Sequence, residues 1–249
     1  MAALADSMPP LVIPITELKM WGELWLGDKN PKNGKPKALN SFDKQQGMNF
    51  PKFIDNAFGQ ALAHMLGGIP VEKPKHNSLL PPSPDCVEVG DVRIIGGVRP
   101  QNYDAAYRPD GPRVVFDSKT LNEAKSIKKN WQNMINDLST EATTIHTRFP
   151  YAIVAFAVLV PKPVLAPKQE FDIIRTLERL GTRQDVLDQA HLAEVISLIV
   201  WDPETGTISD DIPPSHSILR LEKFHELLYP HYLNRYKGLP PHSDIWADA

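Results

Sequence analysis

The chain has little of what marks secreted, membrane-spanning or DNA-coating proteins. It holds one cysteine, Cys86, in 249 residues. No internal disulfide is possible, a secreted scaffold is not expected, and a cysteine-rich zinc site is excluded. No apolar run approaches the roughly 20 residues of a membrane span; the longest, YAIVAFAVLV over 151–160, is closed by Pro161. The opening MAALADSMPP has neither a basic n-region nor a long apolar h-region, so a cytoplasmic, reduced location is expected. Positive charge is not in excess: 27 Lys and Arg stand against 30 Asp and Glu, a net charge of −3. Composition therefore gives no support to general polyanion binding, although a basic cleft can sit on a neutral protein.

Several chemistries are also missing. There is no internal repeat, no low-complexity tract and no Gly-x-Ser-x-Gly elbow. His225 and His231 in HELLYPH lack the i, i+4 spacing of a zinc helix. GDKNPKNGKP has the wrong interval for a phosphate loop, and Pro36 stands where a hydroxyl residue is needed. DPETGTISDD, 202–211, lacks the calcium-loop pattern and reads as a turn. His146 reads as a structural hydrogen-bonder before a strand.

What is there is a core-forming sequence, 42% hydrophobic and 23% charged, with proline well above its usual share of about 5% at 24 residues. The prolines cluster in an extended loop over 70–84 and mark element ends elsewhere. Residues 1–49 read as an irregular arm with a lysine-rich loop, DKNPKNGKPK. Helical spacing runs from Phe50 to Leu66 and from Leu121 to Leu138. Strands are expected at 86–98, 101–107, 113–118, 151–160 and 196–201. A broken helical stretch covers about 169–194, and a last helix about 217–236. The uniformly apolar 151–160 suggests a buried central strand. The order predicts one α/β domain over 1–249, its core at about 50–201, with a mixed sheet, a hairpin and helices on both faces.

The hairpin carries the chemistry. In YDAAYRPDGPRVVFDSKTLN, residues 103–122, the segment Pro109-Asp110-Gly111-Pro112 has turn chemistry. A turn centred on Asp110–Gly111 sets Tyr107 opposite Val114, Ala105 opposite Phe116, and Asp104 opposite Asp117. Opposed side chains lie about 5 Å apart at Cβ, and two like charges there are unfavourable unless compensated. A hard divalent cation such as Mg²⁺ relieves them. Alternation puts Lys119 on the same strand face as Asp117. Two acids and a lysine at one strand end suit phosphodiester hydrolysis, in which a metal polarises phosphate and the ammonium orients water or offsets charge. Short acid-x-Lys triplets are cheap, however, and a salt-bridge network on an exposed hairpin is the plainer alternative.

At Asp104, Asp117 and Lys119 the chain resembles the PD-(D/E)xK nucleases, most like type II restriction endonucleases. The resemblance covers about residues 50–201 and implies a restriction-endonuclease-like fold. It assigns metal binding to Asp104 and Asp117, with the Ser118 backbone carbonyl as a further ligand, and catalysis to Asp104, Asp117 and Lys119. The literal Pro-Asp, Pro109-Asp110, is too close to the second acid, so the first motif acid is carried to Asp104, which no proline precedes. The family often adds an acid on the first helix; Asp55 is a candidate, although a solvent-facing helix residue is the simpler reading. The implied cofactor is Mg²⁺, with Mn²⁺ able to substitute. The implied partners are double-stranded DNA and a second copy of the chain, because palindromic sites favour two-fold homodimers. The alternatives are a repair, junction-resolving or phage-defence nuclease of the same fold, or an inactive nuclease-like binding module. Lys125, Lys128, Lys129 and Asn130 would contact DNA from the helix after the motif, Lys128 foremost, and Lys32, Lys35 and Lys37 from the lysine loop.

Overall fold

In a computed structural model, residues 4–32, 34–123 and 127–242 are described. Six strands form one mixed sheet in chain order: β1 (Val71–Glu72), β2 (Val87–Ile95), β3 (Pro100–Tyr107), β4 (Val114–Thr120), β5 (Ile153–Pro161) and β6 (Val195–Trp201). The β2–β3–β4 meander is antiparallel, while β1 runs parallel to β2, β5 to β4, and β6 to β5. The helices are α1 (Ile15–Leu26), α2 (Lys44–Asn49), α3 (Lys52–Met65), α4 (Ile127–His146), α5 (Pro167–Leu180) and α6 (Leu221–Tyr236). The expected α/β class with a mixed sheet and a hairpin is therefore what forms.

Alternation along β4 shows that helices lie on both faces. Phe116 stacks on Phe58 of α3 at 4.1 Å between ring centroids and meets Phe224 of α6 edge-on. Lys119, pointing the other way, reaches Glu141 of α4. Strands β5 and β6 are buried along their whole length, which is why β5 reads as an unbroken apolar run and β6 as one interrupted only by Ser197. β6 is the sheet edge, and it is buried because the segment before α6 covers it. Leu198 N–H and Ser197 Oγ both donate to the Leu219 carbonyl, so the exposed row of backbone groups that invites aggregation is covered there.

Some sequence expectations need correction. The first 49 residues are not irregular but hold α1 and α2. α1 buries Leu18, Gly22 and Trp25; a Cβ on Gly22 would meet the Pro203 carbonyl oxygen at 1.8 Å, so its glycine reflects a close helix–loop approach that the spacing does not reveal. The helix expected at 121–138 runs on to His146, and the one expected over 169–194 ends at Leu180. Beyond it the chain turns inward to a buried ionic centre. Glu194 accepts from the Val154 N–H (2.8 Å), Arg183 Nη1 (2.7 Å) and Arg235 Nη1 (2.8 Å), and lies 3.2 Å from His146 Nε2. His146 Nδ1 meets the Ala190 carbonyl at 3.0 Å, so the histidine is structural, as its sequence context suggests.

Candidate functional site

The pairing of β3 with β4 follows the register read from the turn: Tyr107 with Val114, Ala106 with Val115, Ala105 with Phe116. There the ladder stops. Opposite Asp104, strand β2 slips register between Val89 and Val92, where Gly90 takes φ 131°. Two residues then face one, and such a bulge bends and re-aims a strand. From this point the distal β2–β3 ribbon leaves the sheet and folds against α4. Gly97 N–H donates to the Thr144 carbonyl (2.7 Å), Arg148 Nη1 to that of Ile95 (2.9 Å), and Tyr103 Oη to that of Glu141 (3.0 Å). The β3 side of β4 is thereby left open at residues 117–119.

Asp104 fills the gap. Its Oδ2 accepts from the Ser118 backbone N–H at 2.8 Å, in place of the missing strand carbonyl, and lies 2.9 Å from Ser118 Oγ. The same hydroxyl lies 2.6 Å from Asp55 Oδ1. One hydroxyl proton cannot serve two carboxylates. Burial, and next the charge of Asp104, push the Asp55 carboxyl up to about 8, so Asp55 carries the second proton at neutral pH. On the other sheet face Asp117, nearly buried, pairs with Lys119 Nζ, which also donates to Glu141 Oε1 at 2.9 Å. Burial and then Asp104 raise the Asp117 carboxyl well above the usual range, while Lys119 opposes the shift. Burial lowers the affinity of Lys119 for its proton, but Asp117 and Glu141 outweigh that, and the net direction is upward. Gln101 Nε2 donates to Glu141 Oε1 at 3.1 Å, and Glu141 Oε2 is buried without a partner.

The structure thus gathers Asp104, Asp117, Ser118 and Lys119 at one strand end, but not quite as the hairpin geometry suggests. Asp104 is turned to Ser118 and Asp55 instead of lying flat beside Asp117, because β3 is peeling away. Asp55 is no solvent-facing residue; it is buried on the stripe it shares with Phe58, Gly59 and Leu62. Asp110, at the hairpin tip, is bound at 2.8 and 2.6 Å by Arg113 and takes no part. Glu141 lies beyond Leu138, where the helix expected from the sequence ends, and within α4 as it forms. Its spacing from Met134, Leu138 and Ile145 places an acid on a buried stripe, a signal that was legible once the helix was long enough. Among the described residues no group of three or more His, Cys, Asp or Glu side chains stands ready to hold a metal ion.

The chain matches no family model, no curated protein and no solved structure.

The expected DNA contacts are dispersed. Lys125 lies outside the described residues, and of Lys128 only its place in α4 is described. Lys128 and Lys129 stand 13 and 12 positions before Glu141, about 20 Å along the helix axis, so the acid cluster is not at their end of the helix. Lys129 and Asn130 are exposed, as are Lys32 and Lys35. Lys37 is a staple: its Nζ donates to the carbonyls of Trp25 (3.1 Å) and Ser41 (2.7 Å). Trp25 Nε1 donates to the Asn122 carbonyl at 2.8 Å, which anchors the base of the lysine loop beside the segment that links β4 to α4. No helix among the described residues is long and apolar enough to cross a membrane.

Proposed function

We propose that the chain is a Mg²⁺-dependent DNA endonuclease hydrolysing phosphodiester bonds, with a restriction-endonuclease-like core and most like a sequence-specific type II restriction enzyme. The observation that carries the reading is a cluster of acids where β3 leaves β4: on one face of the sheet Asp104 and Asp55 share the Ser118 hydroxyl, and on the other Asp117 and Glu141 share one cation, Lys119. Buried like charges are tolerated only with compensation. The donor set suits a hard cation: the carboxylate oxygens of Asp104 and Asp117, with a backbone carbonyl nearby. In an extended strand a residue's N–H and C=O point to the same edge. The Ser118 N–H faces Asp104, so its carbonyl faces the same gap. Further support comes from the element order, α3, the β2–β4 meander, α4, then β5 parallel to β4.

Asp104, Asp117 and the Ser118 carbonyl would hold the metal, which when bound polarises the phosphate and makes a water acidic. Asp117, relieved of its charge, releases the Lys119 ammonium to face the attacking water or the phosphate oxygens. Lys129, Lys32 and Lys35, with Lys125 and Lys128, would meet backbone phosphates, and a homodimer would match a palindromic site. The test is incubation of the purified chain with a long DNA of known sequence, Mg²⁺ or Mn²⁺, and an Asp117→Asn control. Discrete bands are expected. A smear moves the reading to a repair, junction-resolving or defence nuclease. No cleavage by the wild type beyond the control on duplex or single strands removes the nuclease reading.

A further inference from the structure

We propose that Glu141 is the positioning residue for Lys119, holding its ammonium in place once Asp117 is engaged elsewhere; this rests on the nuclease reading. Lys119 has two anionic partners, Asp117 and Glu141. The first belongs to the metal set. When its charge is taken up by a cation, Glu141 is the acceptor that remains. A lysine side chain is a flexible four-carbon stem ending in a point charge, so it needs such an anchor.

Glu141 is built for that task. It is buried and sits in α4, so its backbone does not drift as a loop would. Its carbonyl accepts from Tyr103 Oη at 3.0 Å. Its Oε1 is shared between Lys119 Nζ at 2.9 Å and Gln101 Nε2 at 3.1 Å, which fixes the direction of the carboxylate from the β2–β3 ribbon side. The ribbon, α4 and β4 are thus joined at one oxygen. Glu141 touches no reacting atom and acts through Lys119.

Two variants and two readouts test this. Glu141→Leu removes the acceptor at similar volume, while Glu141→Gln keeps a carbonyl for the ammonium. In single-turnover cleavage with Mg²⁺, Glu141→Leu is expected to lose rate about 100-fold, the scale of a misplaced reacting group. Glu141→Gln should stay within about tenfold of wild type, as a neutral acceptor is weaker but correctly placed. DNA affinity in Ca²⁺ should change less than about twofold in both, since the loss lies in the turnover step and not in binding. The second readout is independent of cleavage: the rate of acetylation of Lys119, followed by peptide mass spectrometry, should rise in Glu141→Leu and much less in Glu141→Gln. Equal loss in both variants would make Glu141 a metal ligand and overturn the proposal. So would wild-type rate and labelling in Glu141→Leu. If the wild type cuts no DNA, the labelling alone decides whether Glu141 holds Lys119, and the nuclease reading fails separately. Should Glu141→Leu not fold, Glu141→Gln against Gln101→Ala, which frees the carboxylate from the ribbon, provides the comparison in labelling.

Discussion

Asp104 is close enough to raise the cost of ionising Asp117, yet each has its own neighbour: Ser118 for Asp104, Lys119 for Asp117. Asp104→Ala and Asp117→Ala should each abolish Mg²⁺-dependent cleavage with circular dichroism unchanged, and metal-free DNA binding should hold or tighten because negative charge is lost. Lys119→Ala should lower single-turnover rate by about two or more orders of magnitude with affinity in Ca²⁺ little altered; a near wild-type rate there returns the hairpin to an ordinary ion-pair network. Asp55 makes a different prediction. A carboxyl raised to about 8 in the fold from a reference value of 3.8 binds more proton folded than unfolded between those values. Stability contributed by this group therefore falls as pH rises from about 4 to about 8. Asp55→Asn should raise Tm in EDTA by at least about 2–4 °C at pH 8, the shift expected per kcal/mol at this chain length, and by much less at pH 4. An equal gain at both pH values in thermal melts would mean that Asp55 does not hold its proton.

At the scale of elements, the site exists because a ribbon bends. The register shift at Gly90 and Asp91 lets β2 and β3 leave β4, and α4 receives the ribbon. The landing is tight. A Cβ on Gly96 would stand 2.4 Å from the Thr144 carbonyl oxygen and 2.3 Å from Thr144 Cγ2. Gly96→Ala should therefore push the ribbon off α4, costing about 1–3 kcal/mol, the range for overpacking, measurable as a lowered urea midpoint. It should also lower the cleavage rate, because Gln101 and Tyr103, which orient Glu141, ride on the same ribbon. The turn chemistry of Pro109 to Pro112 was readable, and with it the register down to Ala105. The bulge was not. Gly90 lies inside what looks like a continuous strand, and only a partner strand reveals that two residues there oppose one.

For the whole molecule, the centre of order is Glu194, where α4, α6, β5 and the loop after α5 meet. Burial alone would push its carboxyl up, but the hydrogen bond and charge of His146 and the charge of Arg235 bring it down to about 2 from 4.5. A depressed carboxyl contributes stability that is complete above about 4.5 and is lost as pH falls towards 2. Glu194→Gln should leave Arg183 and Arg235 uncompensated and cost about 3–5 kcal/mol at pH 7. Its acid-unfolding curve between pH 4.5 and 2 should be flatter than the wild type's, as followed by fluorescence. A variant as stable as wild type at neutral pH would show that the two arginines find other acceptors.

By itself, the sequence determined the class of the fold, the order of its core elements from Phe50 onward apart from the short β1, which falls in the expected loop over 70–84, the burial of 151–160, the hairpin register down to Ala105 and the gathering of Asp117 with Lys119. These are local matters: apolar periodicity, turn-forming residues and two-residue alternation act between near neighbours. Tertiary structure alone decided that Asp55 and Glu141 join that strand end, that Asp104 turns to Ser118, that Lys37 is a staple, and that 15–26 is a helix with Gly22 at its contact. Each depends on which buried stripe meets which partner: Asp55 comes from 62 residues upstream of Asp117 and Glu141 from 24 downstream. Spacing can place an acid on the apolar stripe of its helix, but it does not say which partner that stripe will meet, because the contact is a property of the pair and not of the helix.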